Sequence, residues 1–203
     1  MMDLYTWRTP NGRKVSIMLE ELGVPYQVHT INIGAGEQFA PAFVAINPNS
    51  KIPVLVDRSA AEPVTICESG AILVYLAEKY QQFLPVSGPA RYAVLQWMMF
   101  QMGSIGPILG QVHHFLRFAP EPVPYAIHRY GTEANRLYAV LNQVLSQSEY
   151  IAGDYSIADM ALFPWISRHD WQQIELADYE HVARWYEQVQ VRPAVMRGMA
   201  VPG

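Results

Sequence analysis

Cysteine is almost missing from this sequence. Cys67 is the single cysteine among 203 residues, so an internal disulfide is excluded. The first residues, Met1 to Tyr5, show no basic region followed by an apolar stretch, which predicts that no secretion signal is present. A chain without disulfides and without such a signal is typical of the cytoplasm, and we predict that location.

Long apolar runs and blocks of basic residues are also missing. No apolar run approaches the roughly 18 residues that a membrane-spanning helix needs, so we predict no membrane association. The chain has 14 Lys and Arg against 18 Asp and Glu, a formal net charge of −4. Since nucleic-acid binding depends on neutralising phosphates, this composition argues against a nucleic-acid partner. With 51% hydrophobic residues, the chain can still bury a sizeable core.

The motifs of several enzyme classes are incomplete. Gly34-Ala35-Gly36 lacks the third glycine of a dinucleotide-binding fingerprint, and no G-x-S-x-G nucleophile motif is present. His113 and His114 are adjacent, and neighbours on a helix point about 100° apart, so they form a poor metal pair. We therefore predict no metal site.

The first part of the chain alternates strands with helices. Met2, Leu4 and Thr6 alternate with polar neighbours, which predicts a short strand. An amphipathic helix follows, which Gly23 can end, and residues 26–31 are rich in strand formers. This order predicts a βαβ unit with parallel strands. The segments "VLVD" and "VTIC" then read as a hairpin, and a further helix begins at Ser69.

The second part of the chain is predicted to be all helical. Residues 84–90 hold two prolines and a glycine and read as a linker. The first predicted helix covers residues 91–118 and is interrupted at Gly106-Pro107, and the second covers 125–147. A third helical segment follows an N-capping motif at Ser156, and the last helix covers 178–191. The predicted organisation is therefore a first domain over 1–83, a linker over 84–90 and an all-helical domain over 91–203.

Three short segments carry candidate chemistry. The turn Thr9-Pro10-Asn11-Gly12 lies between a strand and a helix, where thiol-redox proteins carry a Cys-x-x-Cys, and here it has no sulfur. A proline directly before a strand, as in Ile52-Pro53, fixes how the chain enters the sheet. Ser69 can cap the next helix with its hydroxyl, and the free N–H groups of that helix end attract a carboxylate. Taken alone, Ser69 is equally compatible with a purely structural role, in which it caps the helix and binds no ligand.

Together these features resemble the cytosolic glutathione transferases. The first half looks like their thioredoxin-like domain, the second like their all-helical domain, and the resemblance covers nearly the whole chain. Several segments are most similar to the nu class, the disulfide-bond reductase branch. These segments are "TPNGRK", "GEQFAPAFVAINPNSKIP", "ESGAILVYLAEK", "GPILGQVHHF" and "PYAIHRY", together with "SIADM".

The resemblance implies a glutathione site and a homodimer. It implies that the Ile52-Pro53 peptide is cis and pairs with the cysteinyl part of glutathione, and that Glu68 and Ser69 hold its γ-glutamyl end. Arg129 is implied to reach a carboxylate, although a solvated helix arginine is the alternative reading. The remaining residues implied to line the groove are Gln38, Asn49 and Lys51.

The turn without cysteine can act on the thiol that the ligand brings. A free thiol with a pKa near 8.5 is only about 3% thiolate at pH 7. Lowering that pKa to about 6.5 requires roughly 2.7 kcal/mol of thiolate stabilisation. One or two hydrogen bonds to the charged sulfur, at about 1.5–3 kcal/mol each, are sufficient. We assign this role to Thr9 and Asn11; Tyr5 is a rival that we interpret as a core residue, and Cys67 is interpreted as structural.

Three functions are compatible with the sequence. The leading hypothesis is a glutathione-dependent disulfide-bond reductase that binds two glutathione molecules per subunit, or one glutathione disulfide, and acts on small disulfides. The second is a transferase that conjugates glutathione to apolar electrophiles. The third is a glutathione-binding regulator with little turnover.

Overall fold

A four-stranded mixed sheet organises the first part of the chain. The computed structural model describes residues 1–59 and 62–203. The strands are β1 (Met2–Thr6), β2 (Tyr26–Thr30), β3 (Val54–Asp57) and β4 (Val64–Cys67), in the order β2-β1-β3-β4. β1 pairs with β2 in parallel, and β3 is antiparallel to both β1 and β4. The predicted βαβ unit and hairpin are therefore confirmed, while Ala60 and Ala61 of the hairpin connection lie outside the described residues.

Helices cover the sheet in the order that the sequence predicts. The helices of this part are α1 (Pro10–Leu22), the short α2 (Pro41–Val44) and α3 (Ser69–Tyr80). Gly23 ends α1 at φ 64°, a left-handed conformation that glycine adopts without strain. Val15, Met18 and Leu19 of α1 are fully buried, as are Ile72, Leu73 and Leu76 of α3. The helix faces that the apolar spacing indicates are thus the faces that bury apolar surface, which stabilises the fold.

The helical part follows over α4 (Gly88–Phe100), α5 (Gly106–His113), α6 (Pro124–Leu145), α7 (Ile157–Ile166), α8 (Glu180–Gln190) and α9 (Pro193–Ala200). The interruption predicted at Gly106-Pro107 is a π-helical turn, Gln101–Ile105, and the backbone stays helical through Gly106. A second π-helical turn, His114–Phe118, ends this stretch. No helix in residues 1–59 and 62–203 combines the length and the apolar character that crossing a membrane requires.

The chain forms two compact units. One comprises Met1–Leu84 with Arg192–Gly203, and the other Pro85–Val191. The last segment joins the first unit because α9 packs on α1, where the Ser16 hydroxyl donates to the Gly198 carbonyl at 2.6 Å. α9 was not among the predicted helices, and α4 begins inside the predicted linker. The domain boundaries 1–83, 84–90 and 91–203 stay a prediction.

Asp159 organises the core of the Pro85–Val191 unit. Ser156 caps α7, and the side chain of Asp159 accepts the Ser156 N–H at 2.9 Å, which completes a capping box. The same buried carboxylate accepts the Ile151 N–H at 3.1 Å and the Trp185 indole N–H at 2.9 Å. The N-capping motif predicted at Ser156 is confirmed. Its carboxylate also ties α7 to α8.

Candidate functional site

Seven of the predicted site residues meet in one polar cleft of the first unit. The cleft has a volume of about 210 Å³. Its lining comprises Asn11, Asn47, Asn49, Lys51, Ile52, Pro53, Glu68 and Ser69. Three segments that are distant in sequence supply these residues: the first turn of α1, the loop before β3, and the start of α3. The lining offers amide, hydroxyl and ammonium donors with one carboxylate, which suits a ligand that carries several charges.

Thr9 is the N-cap of α1, and Asn11 lies in the first turn. The Thr9 Oγ1 accepts the Gly12 N–H at 3.1 Å, so its own O–H stays able to donate to a ligand. A Cβ on Gly12 would come within 2.4 Å of Thr6 Oγ1 and 2.5 Å of the Trp7 carbonyl oxygen, so the turn requires glycine. Asn11 lines the cleft, whereas Thr9 is not among the lining residues.

Asn47 holds the loop before β3 and was missed by the sequence analysis. It is buried, its amide donates to the Lys51 carbonyl at 2.7 Å, and its Oδ1 accepts the Asn49 N–H at 3.0 Å. The loop continues into the Ile52-Pro53 peptide, which is cis, as the resemblance implies. The signal for Asn47 was the "NPNS" segment, because asparagine bonds to nearby backbone groups in turns.

The start of α3 differs from the expectation in one respect. The prediction that the Ser69 hydroxyl caps the helix is wrong, because Glu68 occupies the N-cap and no side chain caps the helix. Glu68 has φ 68°, a conformation that costs energy for a residue other than glycine and is often found at functional sites. Ser69 is the first helical residue, and its Oγ lies 3.4 Å from the Nζ of Lys14.

Two predicted binding residues lie outside the 210 Å³ cleft. Gln38 sits in the helical turn Glu37–Phe39, half-buried, and its Oε1 is buried without a hydrogen-bond partner. Arg129 lies on α6 in the other unit and lines a cleft of about 590 Å³ with Ile108, Tyr125, His128, Tyr130, Thr132 and Glu133. Each of these two assignments stays a prediction.

The alternative residues have structural surroundings. Tyr5 stacks on His29 with ring centroids 4.6 Å apart and packs against Phe43. The Sγ of Cys67 lies 4.0 Å from the Ile46 carbonyl oxygen, burial raises the pKa of this thiol, and Cys67 is not among the cleft residues. A raised pKa disfavours the reactive thiolate, which fits the structural interpretation of Cys67.

Possible metal ligands do not cluster in the part of the chain that the structure describes. Within it, no group of three or more His, Cys, Asp or Glu residues could hold an ion. His113 is buried against Trp165, its Nε2 lies 3.1 Å from the Gln172 amide nitrogen, and burial lowers its pKa to about 4. His113 is therefore a neutral core residue.

The thioredoxin-like sheet with its polar cleft, together with a helical unit, defines the architecture of a glutathione transferase. Family models agree: residues 1–78 match the glutathione S-transferase N-terminal domain, and residues 126–193 match the C-terminal domain. The chain belongs to the glutathione S-transferase family. It is 48% identical over 198 residues to the disulfide-bond oxidoreductase YfcG of Escherichia coli K12, an alignment that covers 96% of this chain and 92% of that protein.

Solved structures of related proteins show the same fold. A glutathione transferase family member from Pseudomonas fluorescens pf-5, crystallised with two glutathione molecules, has a TM-score of 0.93 and 42% identity, over 99% of this chain and 93% of its own. A glutathione transferase from Pseudomonas putida, with one glutathione disulfide bound per subunit, has a TM-score of 0.93 and 40% identity, over 100% of this chain and 92% of its own.

Proposed function

We propose that this protein is a glutathione-dependent disulfide-bond oxidoreductase. In the first step, a bound glutathione thiolate attacks a small disulfide, forms a mixed disulfide and releases one substrate thiolate. In the second step, another glutathione thiolate attacks the glutathione sulfur of the mixed disulfide, which yields glutathione disulfide and the second substrate thiolate. All electrons come from the two glutathione molecules, so the protein needs no thiol of its own.

The observation that carries this proposal is the chemistry of the 210 Å³ cleft. Its lining offers donors for carboxylates and a helix N-terminus beside Asn11, and the lining contains no cysteine. The relatives support the same reaction, since the E. coli protein is a disulfide-bond oxidoreductase and the Pseudomonas structures bind two glutathione molecules or the disulfide.

The roles of the individual residues are part of the proposal. Thr9 and Asn11 stabilise the thiolate by donating to the sulfur, and the N-terminal N–H groups of α1 favour its negative charge. The backbone at Ile52-Pro53 pairs with the cysteinyl part. The residues assigned to the rest of the first glutathione are Gln38, Asn49, Lys51, Glu68 and Ser69, and Arg129 is assigned to a carboxylate of the second glutathione.

One purified sample assayed with two substrates tests the function. We expect glutathione-dependent reduction of a hydroxyethyl disulfide to be much faster than conjugation of a chlorinated aromatic. The reverse ratio would instead support the conjugating transferase, for which the apolar segment 95–109 is the candidate pocket wall. Glutathione binding with negligible turnover of either substrate would point to a regulator.

The finer classification is likewise proposed. The nu-class motifs support membership of that class, and the absence of disulfides favours the cytoplasm. A homodimer is supported by exposed apolar side chains on α4, where Tyr92 is 70% and Met99 63% exposed in the single chain. Sedimentation analysis of the purified chain would reject the dimer if it gave the mass of one chain at micromolar concentration.

A further inference from the structure

Lys14 is a buried cation directly behind the cleft. It lies in α1 and is 1% exposed, although burying an ammonium group is costly unless other groups compensate for the lost water. Its Nζ lies 3.4 Å from the Oγ of Ser69, which is itself 5% exposed and lines the cleft. The proposed reaction assigns no role to this lysine.

The contact fixes how Ser69 can act. When Lys14 is protonated, its ammonium group only donates hydrogen bonds, so Ser69 Oγ is then the acceptor in this contact. The Ser69 hydroxyl does not cap α3, and its hydrogen is therefore available to a ligand oxygen. Protonated Lys14 thus leaves the Ser69 hydroxyl as a donor toward a ligand.

The electrostatics of this corner also favour an anion. Ser69 is at the N-terminal end of α3, where the helix dipole is positive, and Lys14 adds a charge below it. Burial lowers the pKa of Lys14 to about 7, while the carboxylate of Glu68 opposes that shift. Lys14 therefore keeps a substantial positive charge at and below neutral pH.

We propose that Lys14 is a positioning residue for the anionic end of the ligand: it orients the Ser69 hydroxyl toward a carboxylate and supplies positive potential behind it. This inference rests on the proposed function, in which that carboxylate belongs to glutathione. Lys14 acts through Ser69 and is not a catalytic residue.

The test is a double-mutant cycle on the full chain, with glutathione titrated calorimetrically just below neutral pH. Lys14→Met keeps most of the length of the side chain and removes the charge, and we expect it to weaken glutathione binding about tenfold. Ser69→Ala should weaken binding similarly in the parent, and by less than about threefold in the Lys14→Met background, because the two residues act as a unit. In steady-state assays, KM for glutathione should rise while kcat changes little.

Stability measurements separate this role from a structural one. Removing one partner of a buried polar contact is destabilising, so Lys14→Met should lower the melting temperature, and its glutathione affinity is measured well below that temperature. The matched control is Lys79→Met, in the same unit but paired with Asp57 outside the cleft lining, which should lower the melting temperature and leave glutathione affinity unchanged.

Two results would overturn the proposal. One is a folded Lys14→Met whose glutathione affinity is within about twofold of the parent, and the other is a fully additive effect of Lys14→Met and Ser69→Ala. If Lys14→Met does not fold, Lys14→Gln replaces it: the amide can donate to Ser69 without a charge, and parental affinity in that variant would overturn the electrostatic part. Failure of the parent protein itself to bind glutathione would instead refute the proposed function.

Discussion

Thr9 and Asn11 are the residues for which structure and proposed chemistry make the sharpest prediction. Their hydrogen bonds to sulfur should strengthen as charge develops on it, so their loss should slow the thiol step more than it weakens binding. We expect Asn11→Ala and Thr9→Ala each to lower kcat about tenfold or more, with a smaller change in KM for glutathione. Steady-state assays with the hydroxyethyl disulfide measure both parameters.

A stability effect must be separated from chemistry at Thr9. Its Oγ1 also caps α1, and loss of such a cap typically costs about 1 kcal/mol. Thr9→Ser keeps both the cap and the hydroxyl donor, so it should retain most of the activity. An increase in KM alone, with kcat preserved, would make either residue a binder and not a thiolate stabiliser.

For Cys67 we expect the opposite result, namely that its replacement leaves the activity largely intact. The redox sulfurs of the proposed reaction belong to the ligands, and the Cys67 thiol is outside the cleft lining with a raised pKa. Cys67→Ser should therefore keep most disulfide reductase activity. A loss of more than about tenfold in kcat/KM, which corresponds to about 1.4 kcal/mol, in a folded variant would refute the mechanism without a protein thiol.

At the scale of elements, Asp57 ties the sheet to α3. Its side chain is completely buried, pairs with Lys79 and accepts the Tyr75 hydroxyl at 2.8 Å and the Ser59 N–H at 2.8 Å. Burial alone would raise the pKa of Asp57, but the hydrogen bonds from Lys79, Ser59 and Tyr75 outweigh it and hold the pKa well below its usual range. The ionised carboxylate therefore stabilises the fold.

The sign of the pH dependence follows from this lowered pKa. The stabilisation is fully present above the unfolded pKa of about 3.9 and is lost as the pH falls through the folded value. Asp57→Asn should cost about 1–3 kcal/mol near neutral pH, and its deficit relative to the parent should shrink on acidification below about pH 4. Urea unfolding across this range measures the difference.

The exposed Glu62 of the same hairpin gives a control for this prediction, since Glu62→Gln should change little at any pH. A deficit of Asp57→Asn that is equal at acidic and neutral pH would show that shape, and not ionisation, determines its contribution.

The periodic spacing of apolar residues predicted the strands and helices that bury one face. Alternation in β1 and the 3-4 spacing in α1 record which faces are buried, so both elements were found. α9 could not be found in this way because its place depends on a distant contact: a Cβ on Gly198 would come within 2.5 Å of the Ile17 Cα. A single sequence does not reveal which backbone a glycine approaches.

In the candidate site, too, some features could be predicted from the sequence and others depend on contacts between distant residues. Asn49, Lys51 and Glu68 were assigned through family motifs, and the fold brings them into one cleft. Serine is a favoured N-cap residue, which is why Ser69 was expected to cap α3. The helix instead starts from the left-handed Glu68, and Ser69 contacts Lys14, whose position on a buried helix face only the fold defines.

At the scale of the whole molecule, the proposed reaction requires two glutathione thiols for each disulfide reduced. Because the chain contains only one cysteine, no pair of protein thiols can supply the electrons. Holding both glutathione sulfurs together makes the second attack effectively intramolecular. We therefore predict that each subunit binds two glutathione molecules or one glutathione disulfide, which calorimetric titration with each ligand measures.

Arg129 provides the mutational test of this stoichiometry. If its guanidinium holds a carboxylate of the second glutathione through two hydrogen bonds, Arg129→Lys should weaken disulfide binding about tenfold, because lysine lacks the planar fork. The control is Arg184→Lys, since Arg184 instead donates to the Leu145 carbonyl at 2.8 Å and is not among the residues of the cleft around Arg129. Three results together would favour the conjugating transferase, which needs only one glutathione beside its electrophile. They are one glutathione per subunit, weak binding of glutathione disulfide, and parental affinity for the disulfide in Arg129→Lys.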